Sequence, residues 1–267
     1  MGIVNLVADS FCGDGIVDVD RAIERARECV AQGAEIIDIG AESARTNRPA
    51  MDEEEEATQL CRFIANWHEP AMLSINTWRP AVARAALTAG GHILNDIGGL
   101  PDASNARICA ETGAALLIMH SVGEPKVPHT HVRYDDVIAR LERFFGEKME
   151  MAHAAGVPRD AIILDPGIDF AKQQSDNLRI LSQCERLRAF DRPILLPISR
   201  KTVIGEVLNI SEPVQRDAGT IGCLVHGMLH GASIFRVHNV RAAVQAVRMI
   251  AAVEQATAHG AEEVRWE

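Results

Sequence analysis

Short runs of apolar and β-branched residues alternate with longer segments of helical hydrophobic period along the whole chain. Runs of this length and composition are typical of buried strands, and eight of them can be distinguished. They are GIVNLV (2–7), EIIDIG (35–40), MLSINT (72–77), HILNDI (92–97), ALLIMH (115–120), AIILDPG (161–167), PILLPIS (193–199) and SIFRVH (233–238). The helical segments between them include residues 19–33, 55–67, 134–156, 175–190 and 240–255. The repeated strand and crossover helix predict parallel strands.

Eight such units predict an α/β protein built as a single (β/α)8 TIM barrel with an eight-stranded parallel core. An open dinucleotide-binding sheet is disfavoured, because no GxGxxG motif follows the first strand. The length of 267 residues also allows two small domains, but no linker rich in Pro, Gly or Ser divides the chain. We therefore predict one domain over residues 1–267.

Composition narrows the range of partners and the location. The net charge of −10 and the aromatic content of 4% disfavour a nucleic-acid or anionic membrane partner. The chain has no run of about 18 to 20 apolar residues, and its start lacks the basic region and cleavage site of a signal peptide. The six cysteines are scattered without CxxC pairs, which indicates reduced thiols. These features predict a cytoplasmic protein.

Polar side chains stand at or just after the C-terminal ends of the predicted strands, which in a barrel meet at one mouth. They are Asn5, Asp38, Asn76, Asn95, Asp96, His120, Asp165, Ser199, Arg200, Lys201, Arg236 and His238. Arg236 and His238 lie two residues apart on the last strand, so we expect them to point to the same face. With Lys201 after the seventh strand, they occupy positions where barrels often bind phosphate. We predict a phosphate or diphosphate site; the alternative is pairing with barrel carboxylates.

Three other polar residues of the mouth suggest further ligand contacts. The amide oxygen of Asn5 is a candidate ligand for Mg²⁺, since this ion takes few protein ligands when phosphates and waters complete its shell. Asn95 and Asp165 are candidates for binding the edge of a heterocycle, because an amide both donates and accepts and a carboxylate accepts two neighbouring N–H groups. The alternative is a buried polar pair that satisfies the barrel backbone.

The strand ends carry motifs that resemble one enzyme family. In chain order they are MGIVNLVADSF, AEIIDIGAESAR, SINTW, LNDIGGL, LIMH, IILDPGIDFAK, ISRKTVIG and FRVHNV. Together they resemble the dihydropteroate synthases, transferases of folate synthesis, over nearly the whole chain. In that family, 6-hydroxymethyl-dihydropterin diphosphate loses its diphosphate while p-aminobenzoate attacks the exocyclic methylene carbon.

The resemblance implies roles for individual positions. The diphosphate contacts would be Asn5, Arg236 and His238, with Asn5 also holding Mg²⁺. The pterin contacts would be Asn76, Asn95, Asp165 and Lys201. Phe170 and Thr202 would border the aminobenzoate, and Phe11 and Arg45 would lie on the first and second loops. The catalytic set would then be Asp165, Lys201, Arg236 and His238, and the resemblance further implies a homodimer formed through the later helices.

Several positions depart from the family pattern. Asn76 replaces an aspartate, which removes a negative charge from the pterin site, and Ala44 replaces a hydroxyl residue of the second loop. Asp169, Ala171 and Pro197 replace glycines, so we expect their side chains to occupy space that the family leaves for pterin. These changes leave open a paralogue with another acceptor or pterin-like substrate, or a non-catalytic pterin-binding protein. A corrinoid-linked methyltransferase is disfavoured, because its opening motif and third-strand aspartate are missing.

Overall fold

The computed structural model describes residues 1–6, 15–16, 18–42, 50–127 and 129–259. The strands in this part of the chain are β1 (Gly2–Asn5), β2 (Ile36–Gly40), β3 (Met72–Asn76), β4 (Ile93–Asp96), β5 (Ala115–Met119), β6 (Ile162–Asp165), β7 (Leu195–Leu196) and β8 (Ile234–Phe235). The α-helices are α1 (Val19–Ala31), α2 (Glu53–Ala65), α3 (Pro80–Thr88), α4 (Ser104–Thr112), α5 (Val137–Ala154), α6 (Gln174–Ser182), α7 (Thr202–Leu208), α8 (Asp217–Leu229) and α9 (Val240–His259). Short 3-10 helices span Arg159–Ala161, Cys184–Phe190 and Pro213–Arg216.

The strands follow one another in chain order around a ring. Strands β1 to β6 form one parallel sheet, and β7 pairs with β8 in a second parallel sheet. Two parallel bridges join the sheets, Leu164 with Ile194 between β6 and β7, and Gly2 with Val237 between the end of β8 and β1. The N–H of Val237 donates to the carbonyl of Met1 at 2.9 Å, which secures the second junction. The predicted (β/α)8 barrel is confirmed.

Two sequence-based boundaries are wrong. The helix predicted over residues 175–190 is broken, because α6 ends at Ser182 and a 3-10 helix follows that buries Cys184 and Leu187. The spacing of three between these buried residues matches the 3-10 period. The last strand ends at Phe235, so Arg236 and His238 lie beyond it and strand alternation does not fix their directions.

The core inside the barrel forms the floor of the mouth. One cluster of buried residues consists of Ile93, Ile97, Leu117, Met119, Ile163 and Leu195. Residues two apart on a strand share a face, so Asn95 and Asp165 point to the interior above Ile93 and Ile163. The outer faces of the strands pack with the helices in a second, larger cluster.

Among the described residues, no helix is both long enough and apolar enough to cross a membrane.

Candidate active site

The carboxylate of Asp38, at the end of β2, is the centre of a hydrogen-bond network in the mouth. It is fully buried, and it accepts hydrogen bonds from Ser74 Oγ at 2.6 Å and Asn95 Nδ2 at 3.0 Å. Arg236 Nε donates to its other oxygen at 2.7 Å, and Asn76 Nδ2 lies 3.5 Å from that oxygen. Asp38 therefore brings together three residues predicted to form the site, although sequence reasoning gave Asp38 itself no role. The sequence does mark Asp38, because it is the one charged residue in the apolar run IIDIG.

Arg236 is paired with a barrel carboxylate, as the alternative interpretation of its sequence position expected. The pair leaves part of the guanidinium unused: only Nε takes part in a side-chain hydrogen bond with another described residue. An arginine can donate through five N–H groups, so the Nη nitrogens remain able to form a fork on phosphate oxygens. Pairing with Asp38 and binding of an anion are therefore compatible.

His238 lies near Arg236 in sequence but has different contacts. Its Nδ1 is 2.8 Å from Ser199 Oγ, and its carbonyl accepts a hydrogen bond from Arg25 Nη2 at 3.2 Å. His238 lines a cavity of about 230 Å³ together with Ile3, Val4, Ile16, Arg25 and Arg200. Arg25, on α1, was not anticipated, because nothing in the sequence places the first helix beside the end of β8.

Asn95 and Asp165 supply hydrogen-bond acceptors from neighbouring parts of the barrel. The Oδ1 atom of Asn95 is buried and has no hydrogen-bond partner among the described residues. Asp165 is buried as well and accepts from the N–H of Gly167 at 2.7 Å. Burial raises the pKa of Asp165 to about 6, against the opposing effects of the Gly167 amide and the charges of Lys201, Lys172 and Arg236. A buried unpaired acceptor is costly, so the pair favours a ligand with N–H donors.

Lys201, Phe170 and Thr202 meet at one edge of the mouth. Lys201 Nζ lies 4.5 Å from the centre of the Phe170 ring, which is a cation–π distance. Thr202 begins α7 directly after Lys201, and its N–H donates to the carboxylate of Asp169. The structure therefore brings together the three residues assigned to the pterin and acceptor edges. Phe11 and Arg45 lie outside the described residues, as does Ala44.

Lys172 and His120 form a buried pair next to Phe170. The sequence predicts His120 at the mouth but does not indicate a role for Lys172. Lys172 Nζ is 2.9 Å from His120 Nδ1 and donates to the Phe170 carbonyl at 3.1 Å. Burial, reinforced by the nearby Lys172 charge, lowers the pKa of His120 to about 2. Burial also lowers the pKa of Lys172 to about 7, although the Asp165 charge opposes this change. A neutral imidazole acting as acceptor for Lys172 therefore supports the segment that carries Phe170.

A second buried ionic network lies where the second loop leaves and rejoins the barrel. Glu42 accepts from Lys126 Nζ at 2.6 Å and from the N–H of Met51 at 2.6 Å. Arg79 donates to the Met51 carbonyl at 2.8 Å and lies 3.4 Å from Glu42. These bonds fix the two residues on either side of positions 43–50. They tie this part of the mouth to the loops that follow β3 and β5.

Converging polar side chains at the C-terminal end of a parallel barrel define the mouth of a (β/α)8 barrel enzyme. Residues 1–238 match the family described as pterin binding enzyme. Dihydropteroate synthase of Escherichia coli (strain K12) is 35% identical over 274 residues, which cover 100% of this chain and 94% of that protein. The chain therefore belongs to the dihydropteroate synthase family, and it is a transferase.

Solved structures of the same family share the fold. A Yersinia pestis dihydropteroate synthase in complex with a sulfonamide drug aligns with a TM-score of 0.91 at 33% identity, covering 96% of this chain and 94% of that one. A Xanthomonas albilineans dihydropteroate synthase with 4-aminobenzoic acid aligns with a TM-score of 0.85 at 33% identity, covering 95% and 92%. The family expected from the strand-end motifs is confirmed.

Proposed function

We propose that this chain condenses 6-hydroxymethyl-7,8-dihydropterin diphosphate with p-aminobenzoate, forming dihydropteroate and releasing diphosphate. The observation that carries the proposal is the buried patch at Asp38. Its bonds hold the unpaired Asn95 oxygen and the Arg236 guanidinium in one network. The Asn95 amide and the Asp165 carboxylate suit the N–H donors of a pterin ring, and Arg236 suits its diphosphate.

The reaction breaks the bond between the methylene carbon and the diphosphate oxygen and forms a bond from that carbon to the amine nitrogen, which then loses a proton. Negative charge grows on the leaving group and positive charge on the pterin methylene. Arg236 and His238 are assigned to the leaving anion. Asp165 is assigned to the cation, and Lys201 to the pterin. Fixed charges aimed at developing charge are the strongest general source of catalysis, and exclusion of water strengthens them.

Mg²⁺ is the metal that we propose for this site. The described residues contain no group of three or more His, Cys, Asp or Glu able to hold a metal ion. A site made of one amide oxygen, phosphates and waters agrees with that finding, and Asn5, the last residue of β1, would provide the oxygen. When bound, the ion would neutralise charge on the diphosphate.

The metal proposal predicts that chelation lowers turnover. We expect chelation by EDTA to reduce diphosphate release, and Mg²⁺ added in excess to restore it. Asn5→Ala should raise the Mg²⁺ concentration needed for half-maximal release, because it removes the protein ligand. Release that is unchanged in EDTA would contradict the assignment of the metal.

We also propose a cytoplasmic homodimer built from one barrel domain over residues 1–267. The five cysteines in the described part of the chain are free thiols, in keeping with a reducing compartment. Exposed apolar side chains on the later elements support pairing, since Val214, Leu229 and Met249 are 54%, 53% and 62% exposed.

We expect Leu229→Glu combined with Met249→Glu to shift the mass measured by light scattering from dimer to monomer. A wild-type monomer would contradict the proposal.

The reaction itself is tested by measuring diphosphate release from the pterin diphosphate in the presence of Mg²⁺, with and without p-aminobenzoate. We expect release that depends on p-aminobenzoate and a product with the mass of dihydropteroate. Tight pterin binding without this product would contradict the assigned acceptor and would favour a paralogue that uses another nucleophile. Binding with no release under any condition would favour a non-catalytic pterin-binding protein.

A further inference from the structure

Asp169, in the segment after β6, joins three separate elements through one carboxylate. Its oxygens accept hydrogen bonds from the N–H groups of Thr202 and Val203, at the start of α7. Asn177 Nδ2, on α6, donates to the same carboxylate at 3.0 Å, and the N–H of Asp169 donates back to Asn177 Oδ1 at 2.9 Å. The sequence-based expectation placed this side chain in space used by pterin; in the structure its carboxylate lies against α6 and α7.

The backbone of Asp169 is held in a conformation that aspartate adopts at a cost. Its φ is +66°, in the left-handed region, and Ala171 two residues later has a φ of +52°. Asp and Asn are the residues after glycine that visit this region most readily, yet the conformation still has to be stabilised by its surroundings. The hydrogen bonds to Asn177 and to α7 supply that stabilisation. The turn and the carboxylate contacts therefore depend on each other.

The hydrogen bonds of Asp169 connect the backbone next to Phe170 with the backbone next to Lys201, at the edge of the site. Asp169 directly precedes Phe170, and Thr202 directly follows Lys201. A bond between Asp169 and Thr202 consequently fixes the backbone on both sides of the contact between Lys201 and Phe170, whose cation–π distance is 4.5 Å. A lysine side chain has many rotamers, so fixing the backbone next to Lys201 restricts where its ammonium group can lie.

We propose that Asp169 is a positioning residue for the reaction, which aligns Lys201 and Phe170 against the bound pterin and acceptor. The inference rests on the proposed function, since Lys201 and Phe170 are assigned to the substrates there. Asp169 acts through these two residues and through the backbone of α7. Its carboxylate also accepts from the first two N–H groups of α7, so these amides are not available to an acceptor beside Thr202.

The test compares glycine variants at two aspartates whose backbone has a positive φ, Asp169 and Asp191. Asp169→Gly removes the carboxylate and relieves the backbone strain, so we expect the variant to fold. We expect its kcat/KM to fall about 10- to 100-fold, because misplacement by about 1 Å can cost that much. Asp191→Gly is the matched control: Asp191 has a φ of 54°, but its side chain is fully exposed at 101%. That control should keep wild-type kcat/KM.

A double-mutant cycle separates positioning from general damage to the fold. Because Asp169 acts through Lys201 and Phe170, Asp169→Gly should cost less when Lys201→Ala or Phe170→Ala is already present than it costs in the wild-type protein, since coupled residues are not additive. Asp169→Asn keeps the left-handed tolerance and one acceptor oxygen, and should fall between wild type and Asp169→Gly. Equal losses from Asp169→Gly in the wild-type, Lys201→Ala and Phe170→Ala proteins, or unchanged kcat/KM in Asp169→Gly, would overturn the proposal.

Failure of the proposed reaction gives a different result. In that case the wild-type protein shows no aminobenzoate-dependent product, and the same cycle is run on the dissociation constant of the pterin diphosphate measured by calorimetry. Coupling between Asp169 and Lys201 in binding would then uphold the positioning role without the synthase reaction. Additive effects on binding would reject it.

Discussion

Arg236→Ala is expected to weaken both the fold and diphosphate binding, because Arg236 supplies the charged partner of Asp38. The Asp38 side chain is fully buried, and its other donors are the neutral groups of Ser74, Asn95 and Asn76. Removing the cation leaves a buried carboxylate uncompensated, which typically costs about 3 to 5 kcal/mol in the free energy of unfolding. The loss of a charge-assisted contact should also weaken diphosphate binding by about 1.5 to 3 kcal/mol.

The two effects can be separated by a second substitution. Asp38→Asn combined with Arg236→Ala removes the unpaired charge, so we expect most of the stability in urea to return. Diphosphate binding, measured by calorimetry with Mg²⁺ present, should stay weak because the guanidinium is still missing. Arg84→Ala is the control for loss of an ion pair, since Arg84 and Glu111 are both more than half exposed (54% and 55%) and should contribute little.

Two outcomes would contradict this account. If Arg236→Ala is as stable as the wild-type protein, the pair with Asp38 does not compensate a buried charge. If the double variant recovers diphosphate binding, the guanidinium is not a contact of the leaving group. The assignment of Arg236 to the leaving group would then have to be withdrawn.

The barrel could be predicted from sequence because its signals are local. Each strand is a short apolar run, and in Ile93–Asn95 and Ile163–Asp165 the two-residue spacing already puts the polar side chain on the inner face. The shortness of β7 and β8 could not be predicted. The apolar run shows that a strand is present, but the number of residues that pair depends on the neighbouring strand. The break after α6 depends likewise on packing of Cys184 and Leu187.

The connections within the site could not be predicted in the same way. Asp38 and Arg236 are 198 residues apart, and no pattern within either segment indicates that they bond. The residue types at the strand ends suggested what chemistry they could perform, but only the closed ring decides which of them meet. Asp169 shows the same limit, because its carboxylate accepts from residues of α7 that are 33 and 34 positions away.

Because the pKa of Asp165 is raised in the folded protein, we expect the ionisation of this residue to make the protein less stable as pH rises. The pKa is about 6 in the folded protein, compared with 3.8 for the free side chain. Between about pH 4 and 6 the unfolded chain has released the proton that the folded chain still holds, so folding becomes less favourable as pH rises. Below about pH 4 Asp165 causes no loss in the free energy of unfolding. Above about pH 6 the loss is complete, at about 2 to 3 kcal/mol. Asp96, with a pKa also raised to about 6, contributes in the same direction.

Asp165→Asn isolates this contribution from that of Asp96, which is present in both proteins. We expect the stability of the variant to fall less than that of the wild type between pH 4 and 6, measured by urea unfolding at each pH. Asparagine keeps an oxygen for the N–H of Gly167 and introduces no charge. Parallel curves for the two proteins would show that Asp165 does not titrate in this range.

The same residue should have the opposite effect on activity, because only the ionised carboxylate can stabilise positive charge on the pterin methylene. We expect wild-type kcat/KM to rise with pH through about 6, as the free enzyme loses the proton from Asp165. Asp165→Asn should lose this limb and reduce kcat/KM by about 10²- to 10³-fold at pH 8, the usual cost of removing one fixed electrostatic group. A variant with the wild-type pH profile would assign the ionisation to another group. The charge that costs stability above pH 6 is therefore the charge that the reaction requires.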